Sequence, residues 1–282
     1  MRGGSDVDSD DLRLPRLSEA PWAVVIDLDG TLLDPSGALS TRGAAALEAV
    51  LARGVPVVIA TARPARSVRA KVGPLFERVS VVQMSGVGLV HAGAVTRLAS
   101  LAPEAAARVI VLAGALAPHA RIVAEIEGHE FGVNHAMHPD ELWAVNAATP
   151  DMLLSLEAAL ERGVAKLAVN GLGVPLAEME TRLRSELGGT LEVIADRSGS
   201  FLNLVPSGVS KEAALHHLWR ERTDPWRGGL AFGDDLADLE MLRLAEHGVA
   251  MANALPPVLA AVPYRTASNE VDGVAIALEA LA

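Results

Sequence analysis

Two aspartates separated by a single residue, Asp27 and Asp29, close a short apolar run and are followed at once by Gly30 and Thr31. Along a strand, residues two apart share one face, so both carboxylates are expected to project together before the backbone turns away at Gly30. Carboxylates so placed repel, and they persist together where a cation or shared chemistry offsets the repulsion. The same residue types also cap tight turns, and the spacing alone leaves both readings open. Three further features carry chemistry. Thr61 is a hydroxyl directly after a second apolar run, a position that threonine commonly takes at strand ends. Lys211 follows Ser210, a natural N-cap, and so falls in the first turn of a helix, where the macrodipole disfavours a cation by roughly 0.3–1 kcal/mol. A nearby anion would explain it; a solvated lysine would tolerate it. The segment Gly233-Asp234-Asp235-Leu236-Ala237-Asp238 is a second acid cluster, equally readable as an N-cap with dipole-favourable acids in the first turn.

The elements that must hold these residues alternate. Ala23-Val24-Val25-Ile26 is a continuous apolar, β-branched run of the kind found in strands buried on both faces. Ser40 caps a helix through Arg53, Gly54 stops it, and Val55–Ala60 forms a second buried strand ending at Thr61. Pro64 suits the first turn of another helix, and Val79–Met84 reads as a third strand. Strand, helix and strand joined by short links make βαβ units and half of a doubly wound parallel sheet, which places its ligands at the carboxyl ends of strands. From Leu89 to Val205 the pattern is less regular: helical Pro103–Ala117, alternating Arg121–Glu127, a helix over Pro150–Arg162 and a strand over Val164–Asn170. After Gly208 the alternation resumes, with helix Ser210–Arg220, strand Gly229–Phe232, helix Leu236–Glu246, strand Val249–Met251 and a final helix from Val271. The expected fold is α/β: a doubly wound, Rossmann-like core over 21–88 and 206–282, an inserted α+β domain over 89–205, and a disordered tail over 1–20.

Composition narrows the function. The chain of 282 residues is 50% hydrophobic and 21% charged, enough to bury a core. Lys and Arg number 24 against 35 Asp and Glu, a net charge of −11 that repels polyanions, so nucleic acid is a poor partner. With no cysteine there is neither a thiol nucleophile nor a cysteine zinc site, and chemistry falls to carboxylates, lysine, histidine and hydroxyls. Met1–Asp11 carries no apolar stretch of the secretory type. The longest uncharged apolar run, Val109–Pro118, has ten residues, short of the roughly 18–20 that span a bilayer. A cytoplasmic protein with no membrane partner is expected.

Taken together, the order of Asp27-Leu28-Asp29-Gly30-Thr31-Leu32-Leu33, Ala60-Thr61-Ala62-Arg63, Gly208-Val209-Ser210-Lys211 and Gly233-Asp234 through Asp238 resembles the haloacid dehalogenase superfamily. Within it the match is to the Cof-type phosphatases, which carry a large cap between the second and third motifs. Val249-Ala250-Met251-Ala252-Asn253-Ala254 and Asp272-Gly273-Val274 resemble the family's closing segment. The resemblance runs from Ala23 to the C-terminus and is loosest in the cap. Ser85-Gly86-Val87 stands where the family usually has Asn-Gly-Ala, Ala62 where it commonly has Gly, and Ala237 where it usually has Asn.

The resemblance implies a phosphatase in which Asp27 is the nucleophile and forms an aspartyl-phosphate, while Asp29 protonates the leaving oxygen and then activates water. It implies Mg²⁺ held by the Asp27 carboxylate, the Asp29 backbone carbonyl and Asp234, with Asp238 in or just behind the coordination sphere. Thr61, with Ala62, and Lys211 would bind the other phosphoryl oxygens. The implied partner is a small-molecule phosphate ester, on a monomer or homodimer. A phosphomutase shares all four motifs, and a weakly catalytic phosphate-ester-binding protein is suggested by Ala237. A receiver domain uses similar residues but has about 120 residues and no insert. His129, His135 and His138 share no metal-ligand periodicity, adjacent His216 and His217 point in different directions on their helix, and Gly171-Leu172-Gly173 is a loop rather than a nucleotide fingerprint. Aromatics make up only 3% of the chain, which favours polar recognition of a phosphorylated sugar or acid over stacking on a base.

Overall fold

The computed structural model describes residues 12–138, 141, 147–171, 173–195 and 200–281. They divide into two compact units, one drawn from Met1–Thr61, Lys71–Val81 and His216–Ala282, the other from Ala62–Ala70 and Val82–Leu215.

In the first unit the apolar runs become strands β1 (Ala23–Ile26), β2 (Val57–Ala60) and β3 (Ser80–Gln83, at the unit boundary), followed late in the chain by β12 (Gly229–Gly233), β13 (His247–Ala250) and β14 (Tyr264–Arg265). The strand order is β14-β13-β12-β1-β2-β3, and the pairings β14–β13, β13–β12, β12–β1 and β1–β2 are all parallel. Every residue of β1, β2 and β12 is buried, as a parallel strand covered on both faces requires. Helix α1 (Thr41–Ala52) starts as expected, with Ser40 accepting from the Gly43 N–H. Helix α2 (Ala65–Val72) leads out of this unit's second strand, and α7 (Leu239–Leu244), α8 (Pro256–Ala261) and α9 (Gly273–Ala280) complete it. The crossing of the strand order between β12 and β1 is where an open α/β sheet offers its ligand crevice.

The second unit contains the whole segment 89–205 expected as an insert. It opens with the antiparallel hairpin of β4 (Gly88–His91) and β5 (Ala94–Arg97). Its own six strands are β6 (Arg121–Glu125), β7 (Phe131–Val133), β8 (Leu153–Ser155), β9 (Lys166–Asn170), β10 (Leu191–Ala195) and β11 (Phe201–Pro206), in the order β10-β11-β9-β6-β7-β8. All neighbours are antiparallel except β7 with β8. Helices α3 (Pro103–Leu116), α4 (Leu156–Arg162) and α5 (Leu176–Leu187) cover this sheet, and their apolar residues, among them Val109, Ala159 and Leu183, form one core with Leu167, Val169 and Leu204. Helix α6 (Lys211–Leu218) starts in this unit.

Besides 89–205 the second unit holds 62–70, 82–88 and 206–215, and within it Gln83 accepts from the Ala65 N–H at 2.8 Å and donates to the Glu127 carbonyl at 3.1 Å, while Arg66 pairs with Glu125. One local expectation is corrected. The helix expected over 150–162 begins only at Leu156: Pro150–Met152 is a 3-10 turn, Leu153–Ser155 is β8, and Ser155 is the N-cap, accepting from the Ala158 N–H. Of the expected tail, 1–11 and, elsewhere, Leu172 of the glycine loop lie outside the described residues. Within 12–20, Arg13 exchanges two 2.9 Å backbone hydrogen bonds with Arg265 and Pro15 is buried. Among the described residues no helix is long and apolar enough to cross a membrane.

Candidate active site

Asp27 follows β1 and Asp234 follows β12, and these strands are in register through Ile26 and Phe232. The parallel ladder continues one step further, with the Asp27 N–H donating to the Phe232 carbonyl at 3.0 Å. Both acids therefore leave the same end of the sheet. Asp238 is returned to them by the turn after β12: its Oδ2 accepts from the N–H groups of Asp234 at 3.1 Å and Asp235 at 3.0 Å. Asp235 caps the 3-10 turn Leu236–Asp238 and closes a capping box with Asp238. The two readings of the acid cluster are thus divided among its members, Asp235 shaping the turn while Asp234 and Asp238 face Asp27.

One carboxylate oxygen from each of Asp27, Asp234 and Asp238 lies within 4.8 Å of the others, and the three residues are exposed by only 6%, 2% and 0%. Three buried carboxylates cost several kcal/mol to bring together unless positive charge joins them. A compact all-oxygen donor set fits a hard divalent cation such as Mg²⁺, and these residues would hold it.

The shared strand face expected of Asp27 and Asp29 does not form. Strand β1 ends at Ile26, so the alternation that would put Asp27 and Asp29 on one face does not reach them. Asp27 is buried, Asp29 is exposed, and the acids that gather around Asp27 come from 207 and 211 positions later in the chain rather than from its neighbour. The Asp29 backbone instead makes an isolated bridge with Leu33.

Gly30 shows how tightly the turn closes. Its φ is +82°, and a Cβ there would lie 2.4 Å from Asp234 Oδ2, so only glycine lets the chain pass this close to the acid. Thr31, buried beneath it, donates its hydroxyl to Asp234 Oδ1 at 3.1 Å. Two asparagines brace the same loop. Asn253 donates to the Gly30 carbonyl at 2.8 Å and accepts from the Asn269 N–H at 3.0 Å, and Asn269 donates to the Leu33 carbonyl at 2.8 Å. Thr31 and Asn253 lie within the family-like motifs without an assigned role there, whereas Asn269 has no local signal because its partner is 236 residues away.

Thr61 is buried at the end of β2, the strand neighbouring β1 on its other side. Ala62 and Lys211 belong to the second unit. There Lys211 is only 4% exposed at the start of α6, and Ser210 is the expected N-cap, accepting from the Ala213 N–H at 3.2 Å. Met84 and Ser85 both take left-handed conformations, at φ 51° and 61°, which cost a non-glycine residue energy. At Gly86 a Cβ would lie 2.1 Å from the Ser210 carbonyl oxygen, so this turn packs its backbone directly on the residue that caps the lysine's helix.

Comparison with known proteins agrees with this architecture. The sequence profile of the haloacid dehalogenase-like hydrolase family matches residues 24–278. The chain is 26% identical over 252 residues to an HMP-PP phosphatase of Cronobacter sakazakii, covering 84% of this chain and 86% of the relative. It is 26% identical over 263 residues to the 5-amino-6-(5-phospho-D-ribitylamino)uracil phosphatase YitU of Bacillus subtilis, covering 90% and 95%. Among solved structures, a haloacid dehalogenase-like hydrolase from Bacteroides thetaiotaomicron superposes with a TM-score of 0.79 at 26% identity, over 94% of this chain and all of the other. With the profile spanning both units and the buried acids at the end of the parallel sheet, this chain belongs to the haloacid dehalogenase-like hydrolase family.

Proposed function

We propose that the protein is a Mg²⁺-dependent phosphatase that hydrolyses a small phosphorylated metabolite, a sugar phosphate or related ester, through an aspartyl-phosphate. The observation that carries this reading is the convergence of buried Asp27, Asp234 and Asp238 at the carboxyl end of β1 and β12. The two relatives named above are both phosphatases of small phosphorylated molecules.

In this mechanism a carboxylate oxygen of Asp27 attacks phosphorus, forming a P–O bond as the ester P–O bond breaks. Asp29, two residues after the nucleophile, gives its proton to the departing oxygen. Water then attacks the same phosphorus, Asp29 takes its proton, and the P–O bond to Asp27 breaks, releasing phosphate and restoring the carboxylate. Thr61, Ala62 and Lys211 bind the non-bridging oxygens that stay on phosphorus, where charge must be stabilised. Asp27, Asp234, Asp238 and the Asp29 carbonyl would hold the cation, which when bound would supply positive charge to offset the meeting of carboxylate and phosphate. Asp234, braced by Thr31 and Gly30, keeps the donor set aimed before substrate arrives.

The test is phosphate release from a panel of phosphorylated sugars, sugar acids and nucleotides, with Mg²⁺ and with excess EDTA. Release from small phosphate esters that requires Mg²⁺ is expected. Turnover undiminished in EDTA would overturn the metal assignment, and no release from any ester would overturn the phosphatase reading.

A further inference from the structure

Lys166 is the first residue of β9, just before the apolar Leu167-Ala168-Val169, and it is 6% exposed. An ammonium group taken out of water costs several kcal/mol unless something is gained from it. Its strand neighbour across the ladder is Glu125 on β6, but that carboxylate is already satisfied: Arg66 reaches both of its oxygens at 2.7 Å, with each side chain at most 4% exposed. The Lys166 Nζ donates instead to the backbone carbonyl of Ala62, 104 residues earlier, at 2.8 Å.

That carbonyl belongs to the segment that follows β2 and carries Thr61 and Ala62. Its other backbone groups are held as well. The Arg63 carbonyl accepts from the Met84 N–H at 3.0 Å, the Ala65 N–H donates to Gln83, and the Arg66 N–H donates to the Gly128 carbonyl at 3.1 Å. A β-turn or helix would satisfy the Ala62 carbonyl with a neighbouring N–H; here a buried side chain from a distant strand does it.

We infer that Lys166 is a positioning residue for phosphoryl binding, fixing the Ala62 peptide through its Nζ to Ala62 carbonyl hydrogen bond so that the Thr61-Ala62 segment presents a set geometry to the phosphate. This rests on the assignment of Thr61 and Ala62 to the phosphoryl oxygens. The direction of the lysine's own ionisation agrees with a site made for an anion: burial above all holds its pKa down at about 8, with Glu125 opposing the shift and the repulsion of Arg66 and Arg63 adding to it. An anion bound at the Ala62 segment would relieve that repulsion, whereas a lysine placed for stability alone would gain more as methionine.

The absence of cysteine from the chain gives a clean test. Lys166→Cys, alkylated while unfolded with 2-bromoethylamine and refolded, regains an ammonium of nearly lysine length; Lys166→Met supplies an apolar chain of similar volume. For each protein the Kd of inorganic phosphate in the presence of Mg²⁺ is measured by calorimetry, alongside Tm. Phosphate affinity is expected to fall about tenfold in Lys166→Met, the scale of one lost hydrogen bond, with Tm unchanged or raised, and to return in the aminoethylated variant. Wild-type affinity in Lys166→Met would overturn the inference while leaving the phosphatase reading intact. So would a loss of affinity that only follows a loss of Tm, or one that aminoethylation does not reverse. If the wild-type protein itself neither binds phosphate nor releases it from esters, the assignment of Thr61 and Ala62 falls, and this role for Lys166 with it.

Discussion

The Thr31 hydroxyl donates to Asp234 Oδ1 at 3.1 Å, joining the turn after the first strand to the turn after β12 across 203 residues of sequence. Thr31→Val keeps the shape of a fully buried side chain and removes this donor. One hydrogen bond to a carboxylate is worth about 1–3 kcal/mol, so Mg²⁺ affinity should fall by roughly tenfold with kcat at saturating Mg²⁺ reduced less. Calorimetric titration with Mg²⁺ checks this. Unchanged affinity would mean that Thr31 does not orient the acid.

Asp27→Asn should abolish turnover, by at least ~10³-fold, on every ester, because the amide is no nucleophile. It also takes one negative charge from a cluster of three buried carboxylates, so metal-free protein should be as stable as wild type or more so. Steady-state rates and thermal melts in EDTA decide it, and a variant that keeps near wild-type turnover would remove Asp27 from the nucleophile's role.

Gly30→Ala places a methyl group 2.4 Å from Asp234 Oδ2 at a φ of +82°. Strain of this kind costs about 1–3 kcal/mol, and the displaced acid should lower kcat by about 10²-fold. Both effects are expected together, in Tm and in rate. A drop in Tm with normal kcat would show that Asp234 tolerates displacement.

Asp29 is exposed, so Asp29→Asn should leave the fold intact while slowing both proton transfers, each contributing about 10²–10⁴-fold. With p-nitrophenyl phosphate the first transfer is hardly needed, and the phosphoenzyme should accumulate. Rapid-quench mass spectrometry should find one added phosphoryl group on the peptide containing Asp27, with a nitrophenolate burst near one per active site. A folded variant with neither burst nor adduct would show that Asp29 does not govern dephosphorylation.

The Lys166 pKa predicts an unusual pH dependence. Its folded value of about 8 lies below the 10.5 of an exposed lysine, so between these values the unfolded chain binds more protons and stability rises with pH. Below about pH 8 both states are protonated and the burial cost is fully present. Relative to Lys166→Met, the wild type should gain about 2 kcal/mol between pH 7 and pH 9.5, read from urea melts of both proteins. A difference that stays constant with pH would place the folded pKa near that of free lysine.

What was legible in the sequence is what short-range physics decides. Apolar runs too short for helices and bounded by turns became β1, β2 and β12 because buried parallel strands must be apolar on both faces. Ser40 caps α1 and Ser210 caps α6 because a side-chain oxygen meets an orphan N–H within three residues. That Asp27, Thr61 and Asp234 end adjacent strands at one edge of a sheet also follows from the alternation of strands and helices. The motifs' resemblance already implied the set Asp27, Asp234 and Asp238, and the tertiary structure decided how they meet. Asp27 and Asp29 are nearest in sequence yet part company where β1 stops, while parallel pairing of β1 with β12 brings Asp234 and Asp238 to Asp27. The start of α4 at Leu156 rather than Pro150 has the same cause: Leu153–Ser155 pairs with β7, and strand pairing outweighed the helical propensity of the segment. The hydrogen bond from Lys166 to the Ala62 carbonyl spans 104 residues. No local pattern encodes such a contact, because its partner is a backbone group that every residue carries, and only the tertiary fold selects which carbonyl the lysine meets.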